Sequence, residues 1–266
     1  MHEFNNNWLK LRETVDKKSR NLKIIKLINK KFDNNKPVSI IDLGTGTGSN
    51  FNYLKPKLKF SQNWVFTDIS LNSINYFKQN LKLSNKIIKT KFQIFDVIND
   101  LDKIKFKSFD IVTGSAFLDI LPKSWFYKFH KFNSKTEIVL FALNYNGDFK
   151  FLPKHKNDKI IVNLFNKDQK TDKGIGNKAV GPNCSNLINN IFKKTHHTYL
   201  MNSKWKVEKN YQFQKYFLYF CSKVIKNNKV DYSSWLKFRY NCIKQRTSRL
   251  ILQNTDFLAI KKQINN

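Results

Sequence analysis

The run Asp42-Leu43-Gly44-Thr45-Gly46-Thr47-Gly48-Ser49-Asn50 is where residue types and spacing in this 266-residue chain first suggest chemistry. Alternating glycines let the backbone turn sharply and let a ligand approach it with no Cβ in the way. Between a strand and a helix such a turn could cradle a phosphate. Two details argue against that ligand. The third glycine comes two residues after the second, so the run is not G-x-G-x-x-G, and no P-loop Lys-Ser/Thr pair follows. Asp42, just ahead of the glycines, would repel a pyrophosphate but not a cation. Two further acids, Asp68 and Asp96, each follow a short apolar run. Taken singly, each reads first as a solvated helix N-cap.

The elements that must position these residues follow from periodicity. Residues 8–32 carry apolar side chains at helical spacing, and 33–37 end that helix. Residues 38–43 form an apolar run bounded by Pro37 and Gly44, which predicts a buried parallel strand, with a helix at 50–58. Strands at 64–67, 91–95, 109–113 and 137–143 alternate with helices at 73–83 and 123–132. Alternation of this kind predicts a doubly wound α/β sheet, whose ligands bind at the carboxyl ends of its strands. Residues 144–182 read as an irregular insert. Helices at 185–194, 216–225 and 233–244 and strands near 205–209 and 256–260 complete the chain.

Asp42 through Gly48 resembles motif I, D/E-x-G-x-G-x-G, of the class I S-adenosylmethionine-dependent methyltransferases. The resemblance continues through Val65-Phe66-Thr67-Asp68-Ile69, Asp96-Val97 and Phe109-Asp110-Ile111-Val112-Thr113-Gly114-Ser115, and covers residues 38–143. It implies a mostly parallel seven-stranded sheet with the last strand antiparallel, carrying an N-terminal helix and a lid insert. It implies one methyltransferase domain over 1–266, made of an N-terminal helical segment (1–33), a cofactor half (34–143), a lid (144–182) and a C-terminal completion (183–266). By the same resemblance, S-adenosylmethionine would meet Asp42, Gly44, Thr45, Gly46 and Gly48 at its methionine end. Asp68 and Ile69 would lie at the ribose, Asp96 and Val97 at the adenine, and Ser115 on the substrate side. The implied reaction is an in-line methyl transfer to oxygen or nitrogen of a small metabolite. RNA methylation and a non-catalytic cofactor-binding module are the alternatives. No Asn-Pro-Pro-Tyr motif follows the fourth strand, which lowers the base-methylation reading.

The acceptor side is thinner. Asp119 could orient a nucleophile, and Tyr145 is a second candidate for that role. Asn144, Tyr145, Asp172 and Lys173 are candidate substrate contacts, and Gly174, Gly176 and Gly181 would hinge a lid over them. An ordinary solvated loop explains the same residues equally well. Arg12, Asp16 and Arg20 stand four apart, which reads first as a surface ion-pair ladder. The alternative is that this helix closes the cofactor site and an Arg meets the methionine carboxylate. Arg246 and Arg249 would clamp an anionic substrate or face solvent.

Composition sets the outer limits. The net charge is +30, from 49 Lys+Arg against 19 Asp+Glu, yet only five of the basic residues are Arg. A phosphate-reading surface favours the bidentate Arg fork, so the Lys excess reads as drift towards A/T-rich codons. A nucleic-acid partner is therefore possible but not favoured. The 41% apolar content rules out a disordered chain, and the three Cys rule out a disulfide scaffold. The five His and three Cys have no zinc-like spacing, so no metal is expected. No apolar run is long enough for a membrane span, and residues 1–13 do not read as a signal peptide, so a cytoplasmic protein is expected.

Overall fold

The computed structural model describes residues 6–32, 36–228 and 231–263. The expected helix stop at 33–35 and His2 lie outside them. The N-terminal stretch forms two helices rather than one, α1 (Asn6–Ser19) and α2 (Leu22–Lys31). Asn21 separates them, its side chain accepting from Lys23 N and its own N–H donating to Asp256 Oδ2 at 3.2 Å. Nothing in the local periodicity marks this break, because it is made by a residue 235 positions away.

The strands are β1 (Val38–Leu43), β2 (Gln62–Asp68), β3 (Ile87–Ile94), β4 (Ile111–Ser115), β5 (Ile138–Leu152), β6 (His196–Asn202), β7 (Trp205–Val207) and β8 (Arg249–Lys261). They form one eight-stranded sheet in the order β3-β2-β1-β4-β5-β8-β6, with β7 also paired to β8. The first five are mutually parallel, and β8 runs antiparallel to β5, β6 and β7. This is the doubly wound, mostly parallel sheet with a reversed last strand expected of the class I methyltransferase architecture. It has one strand more than expected, and β6 is the one that went unread. Its His-His-Thr-Tyr-Leu-Met-Asn lies at the sheet edge with mostly half-exposed side chains, so it lacks an apolar run.

The helices that follow are α3 (Ser49–Leu54), α4 (Leu71–Asn80), α5 (Lys123–Asn133), α6 (Asp158–Gln169), α7 (Cys184–Phe192), α8 (Tyr211–Asn227) and α9 (Ser233–Lys244). Successive side chains of a strand face opposite ways, and β1 divides accordingly. Ile40 packs with Trp64, Phe66, Phe51 and α2, whereas Ile41 and Leu43 pack with Trp125, Phe129 and α7. Each fully buried Phe or Ile there stabilises the fold by roughly 1.5–3 kcal/mol. A third core gathers α1, α8 and the second half of β5 around Phe149, Phe151, Phe217 and Trp235.

The insert at 144–182 is more regular than expected. Most of its first part continues β5 as far as Leu152, and α6 follows. The sequence obscures this because β5 bends at two register shifts, with Leu143 at φ +58° and Gly147 at φ +100°. The Leu143 N–H donates to buried Asp256 Oδ1 at 2.7 Å, which holds the first bend. After α6, Val180 N–H donates to Leu121 O at 2.9 Å and joins the insert to the loop after β4.

Candidate functional site

β1 pairs with β2 on one side and β4 on the other, and the connections leave it in opposite directions. A crevice opens at the carboxyl ends of strands at such a point. Here a cleft of about 1140 Å³, its open mouth included, lies over the glycine turn. Gly44, Thr45 and Gly46 form its floor, Asp68, Ile69 and Ser70 one wall, and Phe95 and Val97 an apolar flank. Ser115, Ala116, Phe117 and Ile120 bound it on the β4 side, and Leu9, Arg12 and Asp16 of α1 close over it.

The turn makes left-handed conformations unavoidable, with φ of +63°, +55° and +84° at Gly44, Gly46 and Gly48. The glycines nonetheless do different work. A Cβ at Gly46 would meet only Leu9 Cδ1 at 3.6 Å, so its Cα faces the cleft while its N–H is held by Asp68. A Cβ at Gly48 would lie 2.2 Å from the Phe77 ring, so Gly48 lets α3 seat against α4 and does not line the cleft.

Asp68 ends β2 with one carboxylate oxygen accepting from Gly46 N–H at 2.7 Å and the other from Ser70 N–H at 2.9 Å. It is therefore tied directly to the glycine turn, at the cleft wall. Asp42 is fully buried beneath that turn and does not line the cleft itself. Its Oδ1 accepts from Asn50 Nδ2 at 2.7 Å, while Oδ2 has no hydrogen-bond partner. Burial raises its pKa to about 7, against the opposing pull of Asn50, Thr45 and Arg20.

Asp96 is placed differently. Its carboxylate accepts from Ile98 N–H, Asn99 N–H and Asn99 Nδ2, capping the turn after β3, and only its neighbour Val97 lines the cleft. Asp119 sits in the turn Leu118–Ile120 with its carboxyl desolvated, which raises its pKa, while Arg12 and Lys173 oppose the shift. It too does not line the cleft.

The residues expected to meet the acceptor are engaged elsewhere. Tyr145 is buried, and its hydroxyl donates to Asn166 Oδ1 at 2.9 Å. Asn144 Nδ2 donates to the carbonyls of Phe141 and Thr255. Asp172 accepts from the N–H groups of Ile175 and Gly176, and Lys173 pairs with Asp168 at 2.8 Å. None of the four lines the cleft. Arg246 and Arg249 are exposed.

α1 contributes more than a surface ladder. The Arg12–Asp16 ion pair forms at 2.9 Å, but both side chains are nearly buried and face the cleft. Asp16 Oδ1 makes no hydrogen bond, and burial raises the pKa of its carboxyl. Arg20 does not continue the ladder. It turns inward, donating from Nη1 to Asn50 Oδ1 at 2.6 Å with its guanidinium over the Tyr53 ring. Leu9, Asn50 and Phe117 also line the site without having been expected there. The scarcity of Arg was the available signal for α1, whereas Asn50 is hidden in an Asn-rich chain.

Among the described residues, no group of three or more His, Cys, Asp or Glu is arranged to hold a metal ion. None of their helices is long and apolar enough to cross a membrane.

No family model matches the chain, and no curated protein matches it by sequence. Among solved structures it is similar to Haemonchus contortus phosphoethanolamine N-methyltransferase 2 with S-adenosyl-L-methionine, at 15% identity and TM-score 0.47, over 91% of this chain and 52% of that one. The chain thus spans about half the length of that enzyme. The same enzyme with phosphomonomethylethanolamine and S-adenosylhomocysteine gives 13% identity, TM-score 0.47 and the same coverage of 91% and 52%. The YcgJ protein of Bacillus subtilis gives 9% identity and TM-score 0.49, over 91% of this chain and 100% of that one. Similarities this low carry no functional argument, which rests on the cleft.

Proposed function

We propose that the chain is an S-adenosylmethionine-dependent methyltransferase that moves a methyl group to oxygen or nitrogen of a small metabolite. The observation that carries this reading is the cleft's combination of a glycine turn with no Cβ in the way, the Asp68 carboxylate hydrogen-bonded to that turn, and an apolar flank at Phe95 and Val97. A carboxylate at the end of β2 suits the vicinal hydroxyls of a ribose, and the flank suits a flat ring. The acidic groups around the turn, Asp42, Asp68 and Asp16, disfavour a polyphosphate and favour a cation.

The cofactor supplies a methyl group made electrophilic by its sulfonium. The chain's own task is then to bind, to orient and to keep water out. Gly44 and Gly46 offer backbone to the ligand, Asp68 accepts from its hydroxyls, and Arg12 has guanidinium nitrogens beyond the Nε used by Asp16. Leu9, Phe117, Ile120 and Leu121 supply the apolar enclosure. Asp96 is left to its turn in this assignment, and Val97 with Phe95 serves the ring.

Titration calorimetry with S-adenosylmethionine tests the site. Asp68→Ala is expected to weaken binding at least about tenfold, the loss of a charge-assisted hydrogen-bonded group. Undiminished affinity would refute the ribose assignment. Labelled-methyl transfer into fractionated cell extract then tests the acceptor class. Label is expected in the small-molecule fraction, and label in RNA would replace the metabolite with RNA.

A further inference from the structure

Arg20 is the feature the cleft does not yet explain. A guanidinium only 8% exposed is costly to bury, and it sits at the break between α1 and α2 rather than at the cleft itself. Its Nη1 donates to Asn50 Oδ1, and Asn50 Nδ2 donates onward to Asp42 Oδ1 and to Thr113 Oγ1 at 3.1 Å. Only the amide oxygen can accept from a guanidinium, so this contact fixes which face of Asn50 is turned to Asp42. A continuous buried chain therefore runs from the helix break, through the second residue of α3, to the carboxylate beneath the glycine turn.

We propose that Arg20, acting through Asn50, is a positioning residue that orients and electrostatically supports the Asp42 carboxylate under the turn and so makes the cleft prefer a cationic ligand to its neutral counterpart. This rests on the methyltransferase reading for the identity of the two ligands, the sulfonium S-adenosylmethionine and the thioether S-adenosylhomocysteine.

The surroundings of Asp42 support the assignment. Thr67 and Thr45 donate their hydroxyls to the Asp42 carbonyl, and Thr45, with Asn50, also favours the ionised carboxylate. Asp68, at the end of β2, opposes ionisation, as does burial. Arg20 is the cation that favours it, and Asp16 on α1 and Asp256 on β8 are the acids that share that cation, with Tyr53 beneath. Without the Arg20–Asn50 chain, burial would push ionisation of Asp42 to still higher pH. With it, the carboxyl titrates near 7 and carries its charge on the alkaline side.

The test uses the full chain with 13C-carboxyl-labelled aspartate, the Asp42 resonance being assigned by its loss in Asp42→Asn. The wild type is expected to titrate near neutrality. Arg20→Met is expected to raise the midpoint by about one pH unit, the effect of removing a nearby opposite charge, and Arg20→Lys to restore it. Arg20→Gln removes the charge while keeping a donor for Asn50 Oδ1, so it decides the matter should Arg20→Met fail to fold. An unmoved midpoint in these variants overturns the relay.

Calorimetry at pH 6 and pH 8.5 tests the consequence. The preference for S-adenosylmethionine over S-adenosylhomocysteine is expected to grow about tenfold at the higher pH in the wild type, and much less in Arg20→Met. A ratio that does not change with pH overturns the selectivity. Failure of the wild type to bind either compound overturns the methyltransferase reading instead, and the resonance midpoint still judges the relay.

Discussion

The chain concentrates left-handed glycines in two places, residues 44–48 and residues 174–181, and the structure gives them opposite roles. In the first, the turn borders a cleft, with one carboxylate just before it and a second hydrogen-bonded to it. In the second, the loop satisfies itself. Asp172 accepts from Ile175 and Gly176, residues 172 and 178 bridge, and Lys173 closes on Asp168. Both clusters stand out equally in a chain of only 8 glycines. Glycine scarcity therefore marks where the backbone must turn. Buried acids with an orphaned oxygen beside the turn, here Asp16 and Asp42, mark where a ligand goes.

Substitution can break this comparison. The largest effect is expected at Gly48→Ala, where left-handed strain adds to a 2.2 Å clash with the Phe77 ring. A loss of roughly 3 kcal/mol or more, read from urea unfolding, would follow from overpacking together with strain. A variant of wild-type stability would show that α4 is free to move away from the turn.

Asp42→Asn comes next. The folded-state pKa of Asp42, about 7, lies above its ordinary 3.8, so between these values the native state holds a proton that the unfolded chain has released. Its contribution to stability is therefore present below pH 4 and lost as pH rises through 7. The asparagine variant should gain stability relative to wild type from pH 5 to pH 8, by about 2 kcal/mol allowing for relaxation around the site. Parallel unfolding curves at the two pH values would contradict the burial argument.

In the second cluster the effects shrink. Gly176 has φ +79°, and a Cβ there would meet nothing within 4 Å, so Gly176→Ala costs only the left-handed conformation, about 1 kcal/mol. Lys173→Ala removes a partly exposed ion pair and should change the stability read from urea unfolding by no more than about 0.5 kcal/mol. Both variants should retain cofactor affinity. A tenfold loss in either would make the loop part of the binding site and erase the contrast.

What was legible in the sequence follows the same division. The central strands β1, β4 and β5 announce themselves because parallel strands buried on both faces need apolar runs, and Ile40, Ile41 and Leu43 supply one. Asp68 was legible by its position after β2. Asp96 occupies the corresponding position after β3, but its local turn takes up the carboxylate. Beyond residue 143, long-range partners decide the structure. Asp256 holds both the bend in β5 and the break before α2, and neither contact leaves a periodic trace. Asn50 was invisible for a related reason, because its importance lies in what it bridges.

The length of β5 has a consequence for anyone dividing the molecule. Its first residues pair with Phe257 to Ile260 and its last with Arg249 to Leu252, so β8 clamps both ends of the same strand. A cut after Leu143 would not free a cofactor-binding fragment from an appendage. It would leave two pieces, each missing half of one interlocked seam, which reassembly from separately expressed fragments would have to restore.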